Sequence, residues 1–255
     1  GRLDSTNIIH PEVSVITNIG YDHQQFLGET LPEIAFEKAG IIKKNTPVVI
    51  GERQEELVSI FSNQAKKMNA KIVFASDNVY DMKTDLLGAY QAHNVNTAIH
   101  TIHALENFVV SEEDVKRGLL YCTNNTHLKG RWQLLQECPK VICDTAHNKE
   151  GLHYVMDQLA TETLNKLHIV LGVVNDKKLG EILHYFPQQA RYYFCKPNIP
   201  RGLNAIELQN KATHFHLYGN TYNSVKEAYK KAISEAQKDD VVFVGGSTFV
   251  VAEVV

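Results

Sequence analysis

Residues 13–43 read VSVITNIGYDHQQFLGETLPEIAFEKAGIIK. The run Val13-Ser14-Val15-Ile16-Thr17-Asn18-Ile19 is rich in β-branched side chains and reads as a buried strand. Asp22-His23 then falls just past the strand's carboxyl end, at the rim where ligands collect in open α/β sheets. Thr30 and Glu33 form a T-x-x-E capping box around Pro32, so a helix is predicted to start at Leu31. Along it Ile34 and Lys38 are four apart and Ala35 and Lys38 three apart, which puts the lysine on the apolar face. An unpaired buried ammonium is costly. The residues alone leave three outcomes: a partner anion waits there, the lysine is chemically changed, or the helix ends at Gly40 and releases the side chain to solvent.

Outward from this stretch, strands and helices alternate. Residues 47–51 (PVVIG) and 71–75 (KIVFA) read as strands, with a helix over 55–68 whose Leu57, Ile60, Phe61 and Ala65 share one face. Residues 76–90 are polar and irregular and are read as a hairpin. Helices follow over 92–105 and 112–121, the second opened by Ser111 as N-cap with Asp114 three residues on. Residues 124–130 lack periodicity and form the expected linker, dividing the chain into domains 1–126 and 127–255. A second series has strands at 141–143, 168–172, 191–195, 214–217 and 241–244, and helices at 152–161, 179–185, 205–212 and 222–237. Such alternation implies a mainly parallel sheet covered on both faces, hence an α/β chain with a Rossmann-like second domain.

The 255 residues suffice for one large or two ordinary domains. A formal net charge of −3 without a long basic run argues against a nucleic-acid partner, and no 18-residue apolar stretch suggests a membrane span. Cys122, Cys138, Cys143 and Cys195 form no C-x-x-C pair and read as reduced thiols of a cytoplasmic protein. His10, His93, His100 and His103 repeat no zinc spacing and read as surface or packing residues.

Two loops at predicted strand ends carry polar chemistry: Asp144-Thr145-Ala146-His147-Asn148 and Gly245-Gly246-Ser247-Thr248. Glycines let backbone approach a ligand closely and hydroxyls can donate, so the second loop suits an anion, although Gly-Gly-Ser is also a common turn. Arg131 after Gly130 offers a fork for phosphate or is a solvated linker residue. Asn94 stands at a helix start, where asparagine is often a cap.

Three runs carry a family resemblance: Gly1-Arg2-Leu3-Asp4-Ser5-Thr6-Asn7, the Asp-His-x-x-x-Leu-Gly run over 22–28, and Glu37-Lys38-Ala39-Gly40-Ile41-Ile42-Lys43. They resemble the folylpolyglutamate synthase and dihydrofolate synthase family, within the wider Mur ligase group. The fold this implies is an incomplete Mur-ligase central ATPase domain followed by a Rossmann-like carboxyl-terminal domain. The resemblance implies that His23 is a magnesium ligand and that Lys38 is carbamylated, becoming a second, anionic one. Imidazole suits Mg²⁺ less well than oxygen does, whereas a carbamate supplies hard oxygens. Residues 144–151 resemble the family's Asp-Gly-Ala-His-Asn-Pro-x-Gly run, with Thr145 and Lys149 in place of glycine and proline. By that match Asp144 contacts the ribose or orders its loop, and His147 and Ser247 lie close to glutamate and phosphates, His147 with a catalytic part alongside Lys38. Gly130-Arg131 resembles the family's domain-junction pair, and Tyr90-Gln91-x-x-Asn94 a run whose asparagine faces adenine, so Asn94, Arg131 and Asp144 are the ATP-binding candidates. Pro200-Arg201 and Asp176-Lys177 match further family positions without an assigned role.

The implied reaction joins L-glutamate to a folate or dihydropteroate carboxylate through an acyl phosphate, using ATP and Mg²⁺, with K⁺ as a further candidate ion. A monomer is expected. No G-x-x-x-x-G-K-[ST] run occurs in the chain, which starts inside a motif. The family carries its phosphate loop upstream, so the chain reads as a carboxyl-terminal fragment, inactive by itself. The alternatives are a Mur-type peptidoglycan-precursor amino-acid ligase and a noncatalytic nucleotide-binding fragment. The 1–7 and 37–42 runs favour folate.

Overall fold

The computed structural model describes residues 1–21, 27–162, 165–175 and 179–255. The chain forms two compact units, Gly1–Asp85 with Tyr90–Asn125, and Leu86–Ala89 with Thr126–Val255. The division falls at 125/126, where the sequence placed it at 126/127. Residues 86–89 join the second unit because the Gln158 side chain accepts from the Ala89 amide (2.6 Å) and donates to the Leu87 carbonyl (3.0 Å).

The first unit holds a three-stranded parallel sheet in the order β1-β2-β3, with β1 Ser14–Ile16, β2 Val48–Ile50 and β3 Ile72–Phe74. All three β2 residues are buried, as a central parallel strand requires. Helices α1 (Leu31–Ala39) and α2 (Val58–Lys67) bury Ile34, Ala35, Ala39, Phe61 and Ala65 with Ile16, Val48 and Ile50. The helix expected from residue 55 starts with a 3-10 turn, Glu55–Leu57. Helices α3 (Gln91–His103) and α4 (Glu112–Leu120) make a smaller core through Val95, Ile99 and Val115. Ser111 and Asp114 complete the capping box of α4.

The expected hairpin over 76–90 is absent, because the backbone there bonds to helices instead of to itself. The Asn96 amide donates to the Ala75 carbonyl (2.8 Å) and accepts from the Tyr80 amide (3.0 Å), while the Asp85 amide donates to the Leu119 carbonyl (3.2 Å). The expected linker begins inside a helix, α5 (Cys122–Thr126), whose Thr123 amide is capped by Asp85 Oδ2 at 2.8 Å.

The second unit is built on a six-stranded sheet in the order β4-β5-β9-β6-β7-β8. Its strands are β4 Gln133–Gln136, β5 Lys140–Cys143, β6 Leu167–Leu171, β7 Arg191–Phe194, β8 Gly219–Thr221 and β9 Val241–Gly245. Only β4 against β5 is antiparallel; the other pairings are parallel. The covering helices are α6 (Lys149–Thr161), the single turn α7 (Gly180–Leu183), α8 (Ala205–Thr213), α9 (Val225–Glu235) and α10 (Thr248–Ala252). The strand expected at 214–217 is instead the exit of α8: the Phe215 and Leu217 amides both donate to the Ala212 carbonyl, and His216 has φ +61°. The strand starts at Gly219, where a Cβ would lie 1.9 Å from the Tyr192 carbonyl oxygen, so only glycine fits. The expected helix 179–185 shrinks to α7, whereas β4 and α10 were not anticipated.

Candidate functional site

In the first unit the Thr30 capping box forms as expected: Thr30 Oγ1 accepts from the Glu33 amide (3.4 Å), and Glu33 Oε2 accepts from the Thr30 (3.0 Å) and Glu29 (2.9 Å) amides. These bonds, the Thr30 amide's first, hold the Glu33 carboxyl below its ordinary range. Lys38 lies one turn further on, between buried Ala35 and Ala39, but it is half-buried and makes no side-chain hydrogen bond or ion pair among the described residues. Half-burial at the end of α1 spares the Lys38 ammonium the full cost of an unpaired buried charge. His23 lies outside the described residues.

The 1–7 and 37–43 runs, more than thirty residues apart, pack on each other. Arg2 makes a forked ion pair with Glu37 (Nε–Oε2 3.0 Å, Nη2–Oε1 2.9 Å), and its amide donates to the Glu37 carbonyl at 2.7 Å. Asn7 Nδ2 donates to the Gly40 carbonyl (3.1 Å), and the Lys43 ammonium donates to the Asn7 carbonyl. A Cβ on Gly40 would lie 2.5 Å from Arg2 Cβ, which explains the glycine. This packing fixes the end of α1 that carries Lys38.

Gln54 fixes the exit of β1. Its side-chain amide accepts from the Ile19 amide and donates to the Ile19 carbonyl, both at 2.9 Å, three residues before Asp22. Asn94 is exposed and donates to Gln91 Oε1 at 2.8 Å. The cap position of α3 is Tyr90, so Asn94 stands in the first turn and not at the cap.

In the second unit, the loops after β5 and β9 sit side by side at the carboxyl edge of the sheet, because those strands pair in parallel and the Asp144 amide donates to the Val244 carbonyl at 3.2 Å. Asp144 is 1% exposed; its Oδ2 accepts from the Trp132 amide (2.6 Å) and its Oδ1 from the Ala146 amide (2.7 Å). It therefore orders its own loop and ties residues 130–132 to it. Gly130 (φ +71°) and Trp132 (φ +45°) flank exposed Arg131 in left-handed conformations. His147 Nδ1 lies 3.0 Å from the Thr145 carbonyl; since a carbonyl only accepts, Nδ1 donates, and in the neutral ring Nε2 keeps its lone pair. Asn148 caps α6 by accepting from the Gly151 amide (2.9 Å), with exposed Lys149 beginning the helix. Ser247 is 3% exposed and caps α10, accepting from the Phe249 amide at 3.2 Å, which leaves its hydroxyl hydrogen to donate. Gly246 takes φ +91°. Arg201 stacks over Phe249, 5.0 Å from the ring centroid.

At this edge the amino terminus of α6 presents its first backbone N–H groups, and the exposed Lys149 and Arg131 stand beside the Asp144 and Glu150 carboxylates. Burial pushes the Cys143 thiol up to about 12, helped by the Asp144 carboxylate, and raises Cys195 too, so neither behaves as a thiolate nucleophile. Among the described residues no group of three or more His, Cys, Asp or Glu is placed to hold a metal ion, and Lys38 alone does not make such a site.

Two family models match the chain: residues 1–103 fit the Mur ligase middle domain and residues 130–248 the Mur ligase glutamate ligase domain. The chain belongs to the Mur ligase family. The chain is 30% identical to the dihydrofolate synthase/folylpolyglutamate synthase of Escherichia coli, over 100% of the chain and 62% of the relative. It superposes on Escherichia coli FolC in complex with DHPP and ADP with TM-score 0.84 and 28% identity, covering 100% of the chain and 63% of FolC. Against the bifunctional synthase of Yersinia pestis complexed with AMPPNP and Mn ion the values are 0.83 and 27%, covering 100% and 63%. The chain thus spans less than two thirds of the curated relatives it matches.

Neither Gln54 nor the Arg2–Glu37 pair stands out in the sequence of this Mur ligase family member. Arg2 and Glu37 lie in the 1–7 and 37–43 runs, and their opposite charges are the signal that could have paired them. Gln54 carried no signal, because a side-chain amide that substitutes for a peptide group looks like any surface glutamine.

Proposed function

We propose that this chain serves a folate-type synthase that joins L-glutamate to a folate or dihydropteroate carboxylate with ATP. In the first step a carboxylate oxygen attacks the γ-phosphorus, the bond to the β-phosphate oxygen breaks, and ADP leaves an acyl phosphate. In the second the glutamate amine attacks the acyl carbon, the tetrahedral intermediate expels phosphate, and the amine gives up a proton. No side-chain nucleophile is required, so the protein's part is positioning and electrostatic stabilisation.

The observation that carries this reading is the placement of His147 and Ser247 at the ends of two paired strands, within the segment that fits a glutamate ligase domain. His147 Nε2, with its lone pair, is suited to receive the amine's proton, and the Ser247 hydroxyl to donate to a glutamate or phosphate oxygen. Asp144 holds Arg131's segment in place, and Arg131 then offers a fork to phosphate. Asn94 is the proposed adenine contact. Mg²⁺ is the divalent ion proposed to accompany ATP, with His23 and a carbamylated Lys38 as its protein ligands.

The test is phosphate release by the full-length protein that carries this chain, with L-glutamate present or absent. Acceptors are dihydropteroate, tetrahydrofolate and a nucleotide-linked muropeptide. Glutamate-dependent release with either pterin supports the proposal; release only with the muropeptide, or with none, overturns it.

A further inference from the structure

His168 on β6 is 2% exposed and has no part in the proposed reaction, yet both of its ring nitrogens are engaged. Nε2 lies 3.2 Å from Oδ2 of Asp240, the residue before β9, and Nδ1 lies 2.8 Å from the Tyr193 hydroxyl on β7. The direction of each bond follows from its partner. Asp240 already accepts from the Asn165 side chain (3.0 Å) and from the Lys166 (3.1 Å) and Gln237 (2.8 Å) amides, so it is a carboxylate and can only accept from Nε2. Tyr193 has a single hydroxyl hydrogen, and Glu235 Oε2 on α9 stands 2.7 Å from that oxygen. Two oxygens this close share a hydrogen. The Tyr193 bond first, then Lys231 and Arg191, hold the Glu235 carboxyl below its ordinary range against the effect of burial, so the hydrogen is the tyrosine's. The Tyr193 oxygen is left with lone pairs alone to offer His168, and Nδ1 donates as well. A neutral imidazole has one N–H; this ring needs two.

We infer that His168 is held as a buried imidazolium, a charged pin that joins β6 to β7, α9 and the turn before β9 and lets go when the ring loses its second proton. A buried charge is costly unless it is paired and hydrogen-bonded, and this one meets Asp240 directly and Glu235 through one hydroxyl. Arg191 of β7 and Lys231 of α9 are engaged by Glu235, at 2.9 and 3.1 Å. Tyr222 stacks on Tyr193 with ring centroids 5.7 Å apart, Tyr229 of α9 packs on the same core, and exposed Lys166, Lys238 and Asp239 stand in the adjoining turns. A neutral ring would lose one of its two bonds where water cannot replace it, because the nitrogen that gave up its proton would turn a lone pair toward an acceptor oxygen. The pin sits at the amino edge of the sheet, at the other end of the strands from the loops of His147 and Ser247.

The experiment compares the full-length protein that carries this chain with its His168→Gln variant, by NMR of nitrogen-labelled histidine rings at about pH 7.5, where free histidine is about nine-tenths neutral. The ring signal that the variant lacks should show a proton on both nitrogens. Tyr193→Phe removes the acceptor at Nδ1 and shifts the same signal, so it supplies the assignment, and the NMR result decides alone, where His168→Gln does not fold. Stability is the second readout. A histidine in the unfolded chain gives up its proton near about pH 6.5, so the stabilisation by the imidazolium is complete below that value and is lost as pH rises above it. From about pH 7 upward the unfolding constant from urea curves should therefore climb more steeply in the parent than in His168→Gln, by up to about tenfold per pH unit. A single N–H on the His168 ring at about pH 7.5, or one common pH slope for the parent and a folded His168→Gln, overturns the inference.

Discussion

Replacing Asp144 with asparagine should loosen the loop that the second unit uses to present Arg131 and His147. The carboxylate is 1% exposed and accepts two backbone hydrogen bonds, at 2.6 Å from Trp132 and 2.7 Å from Ala146. Asparagine keeps one acceptor and turns its NH₂ toward the other amide, so one charge-assisted bond is lost and two donors face each other. A hydrogen bond to a charged group contributes about 1.5–3 kcal/mol, which puts the total near 3 kcal/mol. Trp132 adds a local consequence: its φ of +45° is unfavourable for a residue with a Cβ, and the Asp144 bond helps hold it there. Trp132 is also the single tryptophan of the chain and is 4% exposed, so its fluorescence reports on this loop directly. In urea, with a slope of about 2 kcal/mol/M, the Asp144→Asn midpoint followed by Trp132 emission should fall by about 1.5 M. The native emission should also shift to the red as residues 130–132 relax. A midpoint within about 0.3 M of the parent with unchanged emission would refute the claim that this carboxylate holds the loop.

Other expectations follow from the same structure. Gly246→Ala places a Cβ 2.6 Å from Leu171 Cδ1 and 2.8 Å from the Gly172 carbonyl oxygen at φ +91°, and should cost about 2 kcal/mol or more in thermal denaturation. Burial opposes ionisation of Asp240, but bonds from the Gln237 amide, the His168 ring and the Asn165 amide outweigh it and hold the carboxyl below its ordinary range. Its stabilisation is therefore complete above the unfolded value near 4 and is lost as pH falls through the lower folded value; Asp240→Asn should flatten that acid limb in urea midpoints taken from pH 3 to 7. Lys38→Ala should lower turnover, and enzyme prepared free of bicarbonate should be impaired; unchanged rates in both dismiss the carbamate. Thr30→Ala should cost about 1 kcal/mol by removing the cap of α1, read as a lower urea midpoint.

Much of the local structure was legible because its causes are local. The Thr30 and Ser111 capping boxes, the helical stripe of α9 and the apolar runs of β2, β6 and β9 each depend on residues within a turn or two. The failures share one cause, which is that backbone groups found partners that polarity and alternation do not reveal. Residues 76–90 had the polarity of a hairpin but gave their hydrogen bonds to the Asn96 side chain and the end of α4. The 214–217 run had a strand-like alternation, yet its amides closed the end of α8. The loops holding His147 and Ser247 could be named from the sequence; that they adjoin could not, because β9 enters the sheet between β5 and β6 only through long-range pairing.

By itself the sequence determined the α/β alternation, the helix starts and the polar loops that follow the strands, since propensity, period and caps act over a few residues. Tertiary structure alone decided the strand order, the Arg2–Glu37 and Gln54–Ile19 contacts, and the exposure of Lys38. It also left the Thr145 hydroxyl buried without a partner. Those features depend on which distant groups meet and what solvent each keeps, and a hydrogen bond between residues over thirty positions apart leaves no period in the chain for a reader to find.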